Sequence, residues 1–173
     1  MWLVGHSYFS LNCGVLPVET LLEHAQQLGY STVILTDINT TSGMLDFLRL
    51  APQYSLRALV GVEIQHQGQT YYWLIPQNNM GLENINRFVS EQLHSKAAFP
   101  PKAPELKYTW VIYPFQAHAP LQQLMPNERL GLQPEDFKQL PLSAWNKHQE
   151  HLVFWPSVFF RHQRDINTHR LLR

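Results

Sequence analysis

At 173 residues the chain has the size of one domain and is long enough to bury a substantial core. Thirteen basic and thirteen acidic side chains give a formal charge of zero, which excludes a net positive field drawing the whole chain onto nucleic acid or anionic lipid. The single cysteine, Cys13, excludes an internal disulfide, and with no basic-then-apolar leader and no long apolar run the expectation is a soluble, cytoplasmic protein without a membrane partner.

Trp2–Val4 reads as a first strand, followed by Gly5-His6-Ser7-Tyr8-Phe9-Ser10-Leu11-Asn12-Cys13-Gly14. A His-Ser pair leaving a strand sets polar groups at its C-terminal end, where α/β folds build their sites. The plainer reading is a loop whose histidine bonds locally. Pro17–Leu28 places Val18, Leu21, Leu22, Ala25 and Leu28 at helical spacing, with Pro17 suited to a first turn and Gly29 to the C′ position. Ser31–Thr36 reads as a buried parallel strand and ends in Asp37-Ile38-Asn39. Thr40, Thr41 and Ser42 offer N-caps to a helix carrying Met44, Leu45, Phe47 and Leu48. Leu56–Ile64 is strand again, with Glu63 near its end. The polar turn Gln65–Gln69 then leads to Tyr71–Ile75 as a hairpin.

Beyond Asn78-Asn79, a helix of about three turns carries Leu82, Ile85, Phe88, Val89 and Leu93. The proline-rich Ala97–Pro104 is a surface loop. Tyr108–Phe115 is a strand. Leu121–Met125 and Pro134–Leu140 are short helices around a short strand at Arg129–Leu132, Leu152–Trp155 is a strand, and Asp165 caps a last helix with Ile166, His169 and Leu172. Strands alternating with helices imply an α/β layer or barrel with a mostly parallel sheet. The last helix has no C-cap and stops on Leu171-Leu172-Arg173. This gives the expectation of one domain, residues 1–173, belonging to a longer chain that would cover an apolar patch at Leu171 and Leu172.

Four blocks, in order and at matching spacing, carry a family resemblance: His6–Gly14, Leu35-Thr-Asp-Ile-Asn39, Val60-Gly-Val-Glu63, and Val158-Phe-Phe160 running on to Asp165 and His169. The helix at Gly81–Ser90 adds to them. Together they resemble the polymerase-and-histidinol-phosphatase (PHP) domain, in the form found at the N-terminus of bacterial DNA polymerase III alpha subunits. The resemblance implies an α/β fold, a distorted (β/α)7 barrel, here abbreviated between Gly61 and Leu152. In metal-binding members, two or three divalent ions held by His and carboxylate ligands at the strands' C-terminal ends activate water for phosphoester hydrolysis.

Against that pattern most ligands are missing. The family's His-x-His is Val4-Gly5-His6, the Asp before the motif's Gly is Cys13, and the His of Thr-Asp-His is Ile38. Tyr71 stands where many members place a His, and the late Asp-x-His falls on Ser157-Val158-Phe159. His6 and Glu63 remain. Val, Ile and Phe cannot coordinate a metal and would fill the cavity with apolar side chains. The resemblance therefore implies a vestigial site of Val4, His6, Cys13, Asp37, Ile38, Glu63, Tyr71, Ser157 and Phe159. No catalytic residue and no cofactor are expected in this chain, and His6 and Glu63 are the pair that would hold any metal. Val4, Ile38 and Phe159 are expected to lie together beside a His6–Glu63 hydrogen bond.

Cys13 could ligate zinc or act as a nucleophile, but without a second cysteine a small buried residue is the favoured reading. Asp37 could be a strand-end catalytic carboxylate or a turn cap, and the cap is favoured. His24, His66, His94, His118, His148 and His151 show no zinc spacing and read as surface or capping residues. The basic cluster of Arg161, His162, Arg164, His169, Arg170 and Arg173 could meet DNA phosphates, with a solvated helix face or a contact to a following domain favoured. The resemblance thus implies a structural and docking domain of a replicative polymerase. Its parent would carry out DNA-directed nucleotidyl transfer with magnesium in a palm this chain lacks. Its partners would be the remaining alpha chain, a proofreading exonuclease subunit, and DNA through the parent. The alternatives are a metal-dependent phosphoesterase or 3′–5′ exonuclease with substituted ligands such as Asp37, His66 or Cys13, and a DNA-binding module using the C-terminal arginines.

Overall fold

The computed structural model describes residues 2–10, 16–117 and 124–158. Cys13, His118, Phe159 and the whole C-terminal basic and apolar segment, including Arg161, Arg164, Arg170, Arg173, Leu171 and Leu172, lie outside the described residues. The described residues form two compact units, one made of residues up to Glu63 with Ser157 and Val158, the other of Ile64–Pro156.

The first unit is a parallel sheet with strand order β8-β1-β2-β3, where β1 is Trp2–Gly5, β2 Thr32–Ile38, β3 Arg57–His66 and β8 Ser157–Val158. The register pairs Val4 with Ile34 and Ser157, and Ile38 with Glu63. Helices α1 (Val18–Gln27) and α2 (Met44–Leu50) connect the strands. Alternation along the strands sends Leu3, Val33 and Leu35 to the helical face, where they join Val18, Leu21, Leu22, Ala25 and Phe47 in one buried cluster. Burying each of the valine, leucine and phenylalanine side chains contributes roughly 1.5–3 kcal/mol. Helix α1 ends where Gly29 predicts: Gly29 has φ 74°, its N–H bonds the Gln26 carbonyl and the Tyr30 N–H bonds that of Ala25, a Schellman closure.

Helix α2 departs from expectation. Its N-cap is Gly43, with no side-chain cap bond. Two of the three hydroxyls expected to cap it bond one another instead, Thr40 Oγ1 to Ser42 Oγ at 2.8 Å.

The second unit has strand order β4-β5-β6-β7, with β4 Gln69–Pro76, β5 Thr109–Pro114, β6 Glu128–Leu132 and β7 Leu152–Phe154. β4 and β5 are antiparallel; β5, β6 and β7 are parallel. Helix α3, Asn79–Ser95, packs on β4 and β5 and is longer than the sequence suggests. Asn78 caps it by accepting from the Gly81 N–H at 3.0 Å, and the helix buries Ile85, Phe88 and Val89. Leu124 and Met125 are not helical, and Pro134–Lys138 and Leu140–Leu142 are short 3-10 turns around a cluster of Phe115, Leu130, Leu132 and Trp145. A 3-10 turn suits proline-bearing segments too short to nucleate an α-helix.

Candidate functional site

The first unit gathers its polar side chains at the C-terminal ends of β1, β2 and β3. His6 follows β1 by one residue, and Glu63 lies on β3 opposite Ile38. β2 runs between them, but Thr36 and Gly61, on the same face, are small enough for the two longer side chains to meet across it. His6 Nε2 and Glu63 Oε2 are 2.7 Å apart, and both residues are buried. A carboxylate out of water must be paired or hydrogen-bonded, and this contact supplies the partner. The Thr36 hydroxyl, buried beside them, has no hydrogen-bond partner among the described residues.

Asp37 faces the other way. Its Oδ1 accepts from the Ser7 N–H at 2.7 Å and the Ser10 hydroxyl at 2.8 Å, and its Oδ2 accepts from the Ser7 hydroxyl at 2.8 Å. The network continues outward, because Ser10 Oγ accepts from the Ile38 N–H and Ser7 Oγ from the Phe9 N–H. A buried carboxylate thus fastens the loop after β1 to the end of β2. Gly43 presses against it: a Cβ there would lie 2.6 Å from Asp37 Oδ2. Asp37 is neither a free strand-end acid nor the cap of the turn that follows it. The sequence held the signal, Ser7 and Ser10 three apart against a strand-end Asp, but nothing in it showed that the hydroxyls point back at β2.

Val4 and Ile38 do not meet as expected. Val4 is level with Ile34, four residues before Ile38, a separation of about 13 Å along the strand. The two share a face but not a level. Ser157 is on β8 with its backbone opposite Val4. Tyr71 is half-buried on β4 in the second unit, its ring 6.1 Å from that of His66. Among the described residues no three His, Cys, Asp or Glu side chains are grouped to hold a metal ion. His148 and His151 flank the Trp145 ring at 6.3 and 6.4 Å and approach Glu150 at 3.5 and 3.7 Å.

The second unit has its own buried polar group. The Tyr113 hydroxyl donates to Glu128 Oε1 at 3.2 Å, and Glu128 Oε2 accepts from the Met125 N–H at 2.8 Å. Burial, and then the neighbouring Glu128 carboxylate, push the Tyr113 phenol up to about 12. Burial likewise raises Tyr72, whose ring meets that of Tyr113 edge-on at 5.9 Å.

The PHP domain model matches residues 3–131. The chain belongs to the PHP domain family. Among curated proteins it is 29% identical over 85 residues to an error-prone DNA polymerase of Symbiobacterium thermophilum, covering 49% of this chain and 8% of that one. It is 31% identical over 65 residues to the DNA polymerase III subunit alpha of Ureaplasma parvum, covering 38% of this chain and 7% of that one. It is thus homologous to the PHP region of DNA polymerase III alpha subunits, spanning less than a tenth of the length of these relatives. Similar solved structures are a protein assigned as a metal-dependent phosphoesterase from Bifidobacterium adolescentis (24% identity, TM-score 0.43, 53% of this chain and 32% of that one) and an amidohydrolase from Chromobacterium violaceum (21%, 0.42, 54% and 31%). No helix among the described residues is long and apolar enough to cross a membrane.

Proposed function

We propose that this chain is the PHP domain of a replicative DNA polymerase of the polymerase III alpha type, with a degenerate metal site and a structural and docking role. One observation carries the reading: the two surviving ligand positions, His6 and Glu63, are spent on each other at 2.7 Å in a buried setting. The residues present do not fit the metal centre of hydrolytic family members. Val4 and Ile38 offer no donor atom, and the oxygens of Asp37 are engaged by Ser7 and Ser10. Among the described residues fewer than three ligands converge, too few to lower the pKa of water or to clamp a phosphoester. What remains is an α/β domain whose partners are the rest of the alpha chain, a proofreading exonuclease subunit and, through the parent, DNA.

Two assays test this. The purified chain, supplied with zinc, manganese or magnesium, is expected to release no product from a 3′-labelled DNA strand or a phosphate monoester. Turnover that disappears in His6→Ala would overturn the reading. Co-expressed with the remaining polymerase polypeptide of its source, the chain is expected to co-purify with it; elution of the two apart would remove the docking role.

A further inference from the structure

The second unit presents a polar aromatic surface that this reading does not use. Trp110, near the start of β5, is 37% exposed, and the Arg129 guanidinium of β6 lies 4.9 Å from its ring centroid. Register explains the meeting: Arg129 is opposite Ile112, so Trp110 is its diagonal neighbour on the same face. Arg129 is held there through one nitrogen, Nη1, which donates to the Pro126 and Glu128 carbonyls at 2.9 and 2.7 Å.

Two residues before Trp110, Tyr108 is 52% exposed and adopts φ 57°. An aromatic residue in the left-handed region is uncommon and costs energy, so it persists only where its surroundings fix it. They do. The Tyr108 carbonyl accepts from the Gln77 N–H at 2.8 Å, and the Lys107 carbonyl from Asn84 Nδ2 at 3.1 Å. Gly81 lies so close that a Cβ there would overlap the Tyr108 carbonyl oxygen. The turn is bolted to the start of α3, and the Tyr108 and Trp110 side chains stay exposed, with Lys107 next to Tyr108 in the chain and Arg129 at the Trp110 ring.

We propose that Tyr108, Trp110 and Arg129, with Lys107, form a stacking platform for single-stranded nucleic acid. The chemistry selects the class. Unpaired bases stack on aromatic rings and on guanidinium planes regardless of sequence, while a phosphate backbone meets the flanking cations. An acidic peptide would use the cations and leave the aromatic surface idle. A duplex hides its base faces and cannot use the rings. The platform uses none of the C-terminal arginines and neither His6 nor Glu63, so it stands or falls independently of the proposed function.

The test is fluorescence anisotropy of a labelled oligo-dT strand titrated with the chain at low and moderate salt. Wild type is expected to bind the single strand at least tenfold more tightly than the matching duplex, with affinity falling as salt rises. Trp110→Ala should weaken binding about tenfold or more, as loss of one stacked base predicts. Arg129→Gln should weaken it and flatten the salt dependence. Thermal melts of each variant separate lost binding from lost folding, and Trp110→Phe should keep most of the affinity because a ring remains. No binding by wild type, affinity unchanged in Trp110→Ala, or loss confined to variants of Arg170 and Arg173, would overturn the proposal.

Discussion

Asp37 and Glu63 are both buried carboxylates at the ends of neighbouring strands, and they are satisfied in opposite ways. Asp37 accepts three bonds from the loop after β1, two of them from serine hydroxyls, whereas Glu63 meets a histidine. Each arrangement predicts a cost on removal. His6→Ala leaves a buried carboxylate without this partner and is expected to lower stability by roughly 1–3 kcal/mol in urea unfolding. An unchanged midpoint would show that the pair contributes nothing. Asp37→Ala strands a backbone N–H and two hydroxyls and is expected to cost about 2–3 kcal/mol, with Ser10→Ala costing less because it removes one bond to the acid and one from the Ile38 N–H while the two Ser7 bonds stay. Equal losses for the two would contradict a network centred on the acid. The His6–Glu63 contact was legible in the sequence, because the family alignment put both residues at strand ends. The Asp37 clamp was not, because side-chain hydrogen bonds within loops leave no periodicity to read.

Strands and helices show the same division. β2, β3 and α1 follow from apolar runs and helical spacing, and the Gly29 stop of α1 forms as its position predicts. The start of α2 does not, because Thr40 and Ser42 prefer each other to the helix N–H groups. The level of Val4 relative to Ile38 was also hidden, since strand register is a tertiary property that a single strand's pattern leaves open. Helix α3 offers the sharpest test of an element. Asn78→Ala removes its cap and is expected to cost about 1 kcal/mol. Gly81→Ala should cost more, because the new Cβ must displace the Tyr108 carbonyl that also receives Gln77. A Gly81→Ala chain as stable as the parent would mean that the Lys107–Tyr108 turn is not fixed to the helix.

At the scale of the whole molecule, pH dependence and metal content are the informative quantities. The Tyr113 phenol is raised from its ordinary 10.0 to about 12 in the fold, so the folded state favours the neutral form. Its contribution to stability is present in full below pH 10.0 and is lost as pH rises through about 12. Tyrosinate absorbance with parallel alkaline melts should show late titration and unfolding in that window, and Glu128→Gln should bring the Tyr113 titration to lower pH by removing the neighbouring negative charge. Titration of every tyrosine at the ordinary value, with the fold intact, would contradict this. The central claim concerns the strand-end site: a PHP domain whose last two ligand positions bond each other and hold no ion. Its most direct test is elemental analysis by plasma mass spectrometry of the chain purified without chelator. The prediction is zinc, manganese and iron each far below one equivalent per chain, unchanged in His6→Ala. About one equivalent or more of any of them, lost in both His6→Ala and Glu63→Ala, would contradict it.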